Sequence, residues 1–204
     1  MSAESTLELL DWRRRVFALY AEVRAADEPE AAWRRWRAVR DELFATHPQS
    51  ALPEDARGGF RGLRYFDYDP AFRVVASLED LDAPPQPIDA SGGGTLSFRP
   101  FARTSFALGG ERYALELYRL ETYGGGVFLP FRDPTGGVET YGGGRYLLDT
   151  VKGADLGGGA DALVLDFNFA YNPSCSYDPG WVCPLSPPAN RLPLRIEAGE
   201  RMRT

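Results

Sequence analysis

The chain is poor in the side chains from which metal centres and nucleophilic sites are most often built: among 204 residues it has one histidine, His47, two cysteines, Cys175 and Cys183, and one lysine, Lys152. Two thiols and one imidazole do not complete a Cys/His zinc set, so no metal site is expected. Two cysteines are also too few for a disulfide framework. They read either as reduced thiols in one loop or, in an oxidising compartment, as a local disulfide. Cys175 as a nucleophile would normally draw on a histidine, and only His47 exists, beside Pro48. No run approaches the roughly 18 apolar residues of a membrane span. The opening MSAESTLELLDWRRR carries its basic cluster behind the apolar residues, the reverse of a secretory signal. The expectation is a cytoplasmic protein with no membrane contact.

Positive charge is short as well. The net charge is -6; residues 1–64 carry 11 basic and 11 acidic side chains, residues 65–204 carry 12 and 18. Phosphate neutralisation needs a basic face, so nucleic-acid binding through the larger part is not expected. With 44% hydrophobic and 25% charged residues, the chain suits one substantial core.

What is present divides into two textures. From Ser5 to Ala25, Leu9, Trp12, Val16, Leu19 and Val23 recur at helical spacing, with Ser5 and Glu8 as a capping box. A second helix is expected from Glu28 or Pro29 to Ala45, with Trp33, Trp36, Arg40, Leu43 and Phe44 on one side. Beyond residue 50 helical periodicity gives way to glycine, proline and aromatics. Strands are expected at Phe72 to Leu81, Gly94 to Leu108, Arg112 to Thr122, Val127 to Arg132, Arg145 to Val151, Ala162 to Phe169 and Arg191 to Glu197. Short strands joined by glycine-rich turns, with no helices between them, predict a mainly β fold with N-terminal helices (α+β). Its form is a curved antiparallel sheet making a partly closed barrel or sandwich. The division is a helical segment at 1–50 and a β-barrel-like domain at 51–204.

The stretch Glu121-Thr122-Tyr123-Gly124-Gly125-Gly126 returns eighteen residues later as Glu139-Thr140-Tyr141-Gly142-Gly143-Gly144. These glycines lead into strands, not into a helix, so they fit no nucleotide fingerprint and read as turn-makers. Two segments concentrate polar chemistry. In the first, Arg132, Asp133, Tyr141 and Arg145 flank one hairpin; Arg145 either reaches Asp133 across it or, like Arg132, binds a ligand carboxylate or phosphate with its planar fork. In the second, Asp166, Asn168, Tyr171 and Asn172 follow the apolar run Ala162 to Leu165. Strand alternation would put Asp166 and Asn168 on one face, as a structural network or as the lining of a cleft.

The segment HPQSALP, the run from Phe60 to Phe66, the block FLPFRDPTGGVETYGGGRYL and the stretch LDFNFAYNPSCSYDPGWVCPLSPPANRLPLRIEAGE resemble DUF1684, a bacterial and archaeal domain-of-unknown-function family. The resemblance spans nearly the whole chain and implies no substrate, cofactor or catalytic residue. The long first helix departs from the family pattern and offers a surface for a homodimer. The leading functional expectation is a β-barrel that binds a small polar or anionic ligand through the eight polar residues above, with the cofactor unknown. The alternatives are a flavin-dependent oxidoreductase on a split barrel, a hydrolase using Asp166, or a non-catalytic interaction protein working through its helices.

Overall fold

A computed structural model of the chain describes residues 2–122 and 124–203. Tyr123, in the first glycine corner, lies outside the described residues. Two long helices open the chain, α1 (Ala3–Ala25) and α2 (Pro29–Thr46), followed by the short α3 (Glu54–Arg57). The cap of α1 is Ser2, whose hydroxyl accepts the Ser5 N–H at 3.1 Å. The expected Ser5/Glu8 box does not form, and Glu8 instead accepts from Gln49 at 3.2 Å. Pro29 opens α2, where its missing N–H has no intrahelical partner to lose.

Seven strands follow: β1 (Arg73–Asp80), β2 (Gln86–Asp89), β3 (Thr95–Leu108), β4 (Glu111–Leu120), β5 (Val127–Phe131), β6 (Arg145–Asp149) and β7 (Ala162–Asp166). They form one antiparallel sheet in the order β6-β5-β4-β3-β1-β7, with β2 and β1 sharing successive stretches of one edge of β3. A register shift between Pro100 and Ala102 interrupts the β3–β4 ladder, and such bulges bend and twist a strand. The sheet curls into a half-barrel. Tyr146 on β6 and Tyr171, just beyond β7, exchange both backbone hydrogen bonds at 2.9 and 3.1 Å, joining the two ends of the sheet at one point.

Alternation along the strands feeds two cores. On β4, Leu115 and Leu117 join Phe106, Leu129, Phe131 and Phe167 in one cluster, which the tail residues Leu192, Ile196 and Ala198 complete. Tyr118 points the other way and joins Phe98, Phe128, Tyr146 and Phe169 under the helices, against Leu19, Tyr20, Trp33 and Trp36. The paired tryptophans of α2 are thus docking residues: Trp36 is fully buried, and the Trp33 indole donates to the Asn168 carbonyl at 2.9 Å. Burying one large apolar side chain is worth about 1.5–3 kcal/mol, so these two anchor the helix to the sheet.

Two strand expectations fail for identifiable reasons. The segment from Ala162 leaves extended geometry at Asp166, which caps a 3-10 turn over Phe167–Phe169. Asp166 and Asn168 therefore do not alternate along a strand face. The segment from Arg191 to Glu197 forms no strand either. Pro193 cannot donate, and the backbone there is met by buried side chains: Asp133 Oδ2 accepts the Ile196 N–H at 2.8 Å, while Arg145 donates to the carbonyls of Ile196, at 2.9 Å, and of Ala198. The Asp133–Arg145 pair, 3.2 Å apart, takes the place of a neighbouring strand. β2 lies outside the expected strands; its Pro87 has no N–H to donate, a lack that four residues at an edge tolerate. At Gly199, with φ of +78°, a Cβ would meet the carbonyl oxygens of Phe167 and Ala170 at 2.7 Å, so only glycine lets the tail lie this close.

Arg145→Met strands the Asp133 carboxylate and frees two tail carbonyls. The variant is expected to lose about 3–5 kcal/mol of stability, measured by urea unfolding; a loss under 1 kcal/mol would show that the tail is held by packing alone.

Candidate functional site

Where α2, the chain before β1, the exit from β7 and the tail converge, Glu200 is 1% exposed. Its Oε2 accepts from Arg40 Nη2 at 2.8 Å and from the Asn172 N–H at 3.1 Å, and its Oε1 accepts the Tyr177 hydroxyl. Arg40 Nε donates to the Tyr65 hydroxyl at 3.1 Å. The Arg40 guanidinium is sandwiched among aromatic faces, 4.8 Å from the Trp36 ring centre and 5.1 Å from that of Tyr171. Burial pushes the Glu200 carboxyl up from its ordinary range, and the Arg40 charge and the hydrogen bonds offset this only in part. Burial also works to lower the Arg40 pKa, but Tyr65 and Glu200 outweigh it and hold the guanidinium charged.

Arg40 lines a cleft of about 240 Å³ between the helices and the half-barrel. Its walls are mostly apolar and aromatic, with Trp12, Val16 and Tyr20 from α1, Phe44 from α2, and Tyr171 and Tyr177 from the chain after β7. Polar atoms there are incompletely used. Asn172 donates to the Arg201 carbonyl at 3.2 Å, which fixes its amide, yet its Oδ1 is buried without a partner among the described residues. Arg13 and Lys152 also line the cleft; the Lys152 side chain is 45% exposed and stands 3.5 Å from Asp149.

The structure distributes the eight polar residues expected from the sequence over separate places. Tyr171 and Asn172 line the cleft. Asp133 and Arg145 are consumed in the tail-binding pair, which Thr135 and Thr140 extend by hydroxyl hydrogen bonds of 2.9 Å. Arg132 and Tyr141 line an open surface groove beside Gly143 and Ser186. Asn168 is fully buried and brackets Asp69, accepting its N–H at 3.0 Å and donating to its carbonyl at 2.8 Å. Asp166 uses Oδ1 for the N–H and side chain of Asn168, at 3.0 and 2.8 Å, and leaves Oδ2 with only Arg73, 3.8 Å away. That carboxylate borders a pocket of about 60 Å³, room for a few waters. The arginine hairpin and the aspartate-asparagine segment therefore do not share a concavity.

Sequence reasoning missed Arg40, Glu200, Tyr20, Trp12, Tyr177 and the participation of Lys152. One signal was present: Arg40 falls on the same helix face as Trp33, Trp36 and Leu43, and a charged residue in a docking stripe requires a buried partner.

Fold and cleft define a helix-covered antiparallel half-barrel with an aromatic pocket at the seam. The chain belongs to the DUF1684 family of proteins of unknown function, whose profile matches residues 58–201. An uncharacterized protein of Haloarcula marismortui, solved by solution NMR, is 37% identical; the alignment covers 84% of this chain and 93% of that one, with a TM-score of 0.61. No curated protein matches.

Burial raises the Asp166 pKa to about 6, against the opposing pull of its Asn168 hydrogen bonds and of Arg73. The folded state thus holds this proton more tightly than the unfolded chain, so the stability it contributes is complete below the ordinary carboxylate value and is lost as pH rises through about 6. Asp166→Asn is expected to flatten the stability profile between about pH 4 and 6 in urea titrations. An unchanged slope would mean that the carboxyl titrates normally.

Proposed function

We propose that the cleft between the helices and the half-barrel binds a small amphiphilic anion, with an apolar or aromatic body and a carboxylate or phosphate head. The observation that carries this reading is an aromatic-walled cavity of about 240 Å³ with two cationic side chains, Arg13 and Lys152, on its lining. At about 240 Å³ the cavity is somewhat smaller than the roughly 300–1,000 Å³ of drug-sized pockets, which favours a small metabolite. Trp12, Val16 and Tyr171 supply the apolar surface, and Arg13 and Lys152 supply positive charge for the head group. The Arg40 charge is already balanced by Glu200, so Arg40 serves chiefly as a polarised floor.

A panel of short-chain and aromatic carboxylates and phosphate monoesters, screened by thermal shift, tests this reading. The wild-type chain is expected to be stabilised by at least one of them, and Val16→Trp, which fills the cavity, to fold and lose the response. Arg13→Glu, at an exposed position, is expected to weaken binding about threefold or more, the scale of one exposed charge contact. A response that survives Val16→Trp would place binding elsewhere. No response in the wild-type chain would remove the reading.

A further inference from the structure

The loop that closes the chain after β7 holds both cysteines, and the geometry points to a chemical activity for them. We propose that Cys175 and Cys183 form a redox-active dithiol that exchanges with low-molecular-weight disulfides, Cys175 attacking and Cys183 resolving. Both are free thiols. Cys175 sits in a 3-10 turn, Ser174–Ser176, and its backbone N–H points at the Cys183 sulfur, 3.4 Å away. The backbone of Cys175 thus holds the Cys183 sulfur beside it, and the two thiols are hydrogen-bonded to each other. Ser91 fixes the second position: its hydroxyl accepts the Cys183 N–H at 3.0 Å, and its own N–H donates to the Cys183 carbonyl at 2.9 Å.

The pair is asymmetric in the way such exchange needs. Cys175 is partly exposed and Cys183 is 3% exposed, so a disulfide arriving from solvent meets Cys175 first. The environment separates their acidities in the same sense. Hydrogen bonding with the Cys183 thiol, and with the Ser91 and Tyr141 side chains, outweighs burial and lowers the Cys175 pKa. The Tyr141 oxygen lies 3.6 Å from the Cys175 sulfur. The hydrogen bond of the Cys183 thiol to Cys175, together with burial, raises the Cys183 pKa. Exchange depends on the thiolate fraction of the attacking sulfur and needs no histidine, so the absence of an imidazole partner is no obstacle.

The step balances without a cofactor. The Cys175 thiolate attacks one sulfur of RSSR; the RS–SR bond breaks, a Cys175–SR bond forms, and the departing thiolate takes a proton from water. Cys183 then loses its proton to solvent and attacks the Cys175 sulfur, expelling the second thiolate. The chain gives up two electrons and two protons and gains one disulfide; RSSR becomes two RSH.

The test uses the full chain and excess oxidised glutathione. Wild-type protein is expected to lose the mass of two hydrogens, to release two equivalents of reduced glutathione, and to yield on digestion one peptide pair linked through Cys175 and Cys183. Cys183→Ser is expected to stop at a stable glutathione adduct on Cys175, and Cys175→Ser to react at least tenfold more slowly. Wild-type protein that keeps both thiols, or that stops at a glutathione adduct, overturns the proposal. So does a Cys175→Ser variant that reacts at the wild-type rate.

Discussion

The buried pair of Arg40 and Glu200 joins a helix near one end of the chain to the last turn of backbone at the other. Around it meet the Tyr65 hydroxyl, the Tyr177 hydroxyl and the Asn172 backbone, so four segments far apart in sequence share one carboxylate and one guanidinium. Neither charge is stable in the interior alone, and each is present because the other is. The consequence is positional. Phe44 of α2 and Tyr177 meet edge to face across the seam, ring centres 4.9 Å apart, and the cleft opens beside them and Arg40.

A second buried pair, Asp133 with Arg145, acts on the tail in the same way. It gives the proline-interrupted backbone around Ile196 the hydrogen bonds that a strand partner would otherwise supply, and so brings Glu200 to its place. The two ion pairs are linked in series: one seats the tail against the half-barrel, and the other joins the seated tail to the helices. The family match begins at residue 58, after both long helices. The wall that Tyr171, Asn172 and Tyr177 contribute lies inside the matched region, and the wall from Trp12, Val16, Tyr20 and Phe44 lies outside it.

Much of this architecture is legible in the chain itself. The apolar stripes of α1 and α2, the alternation along β4 and the glycine corners fix the helices, most strands and the antiparallel class, because those signals are local. The path of the chain after Asp166 is not local: its 3-10 turn follows from an aspartate side chain capping its own backbone, a choice that strand periodicity does not reveal. The candidate site was half legible. Tyr171 and Asn172 stand out in a polar loop, whereas Arg40, on the docking face of α2, has no visible partner, and Glu200 looks like an ordinary surface charge until the fold brings them together across 160 residues. Asp133 and Arg145 read in sequence either as a pair across the hairpin or as ligand-binding groups; the structure pairs them, 3.2 Å apart, and bonds both to the tail.

The Arg40–Glu200 pair acts as a coupled unit, and a double-mutant cycle measures that coupling directly. Stabilities of the wild-type chain, Arg40→Met, Glu200→Gln and the double variant, taken from urea unfolding, are predicted to give a coupling of about 2–3 kcal/mol, with the double variant less damaged than the sum of the single ones. Additivity to within about 0.5 kcal/mol would contradict the account, because the helices would then be held by apolar packing without the ion pair.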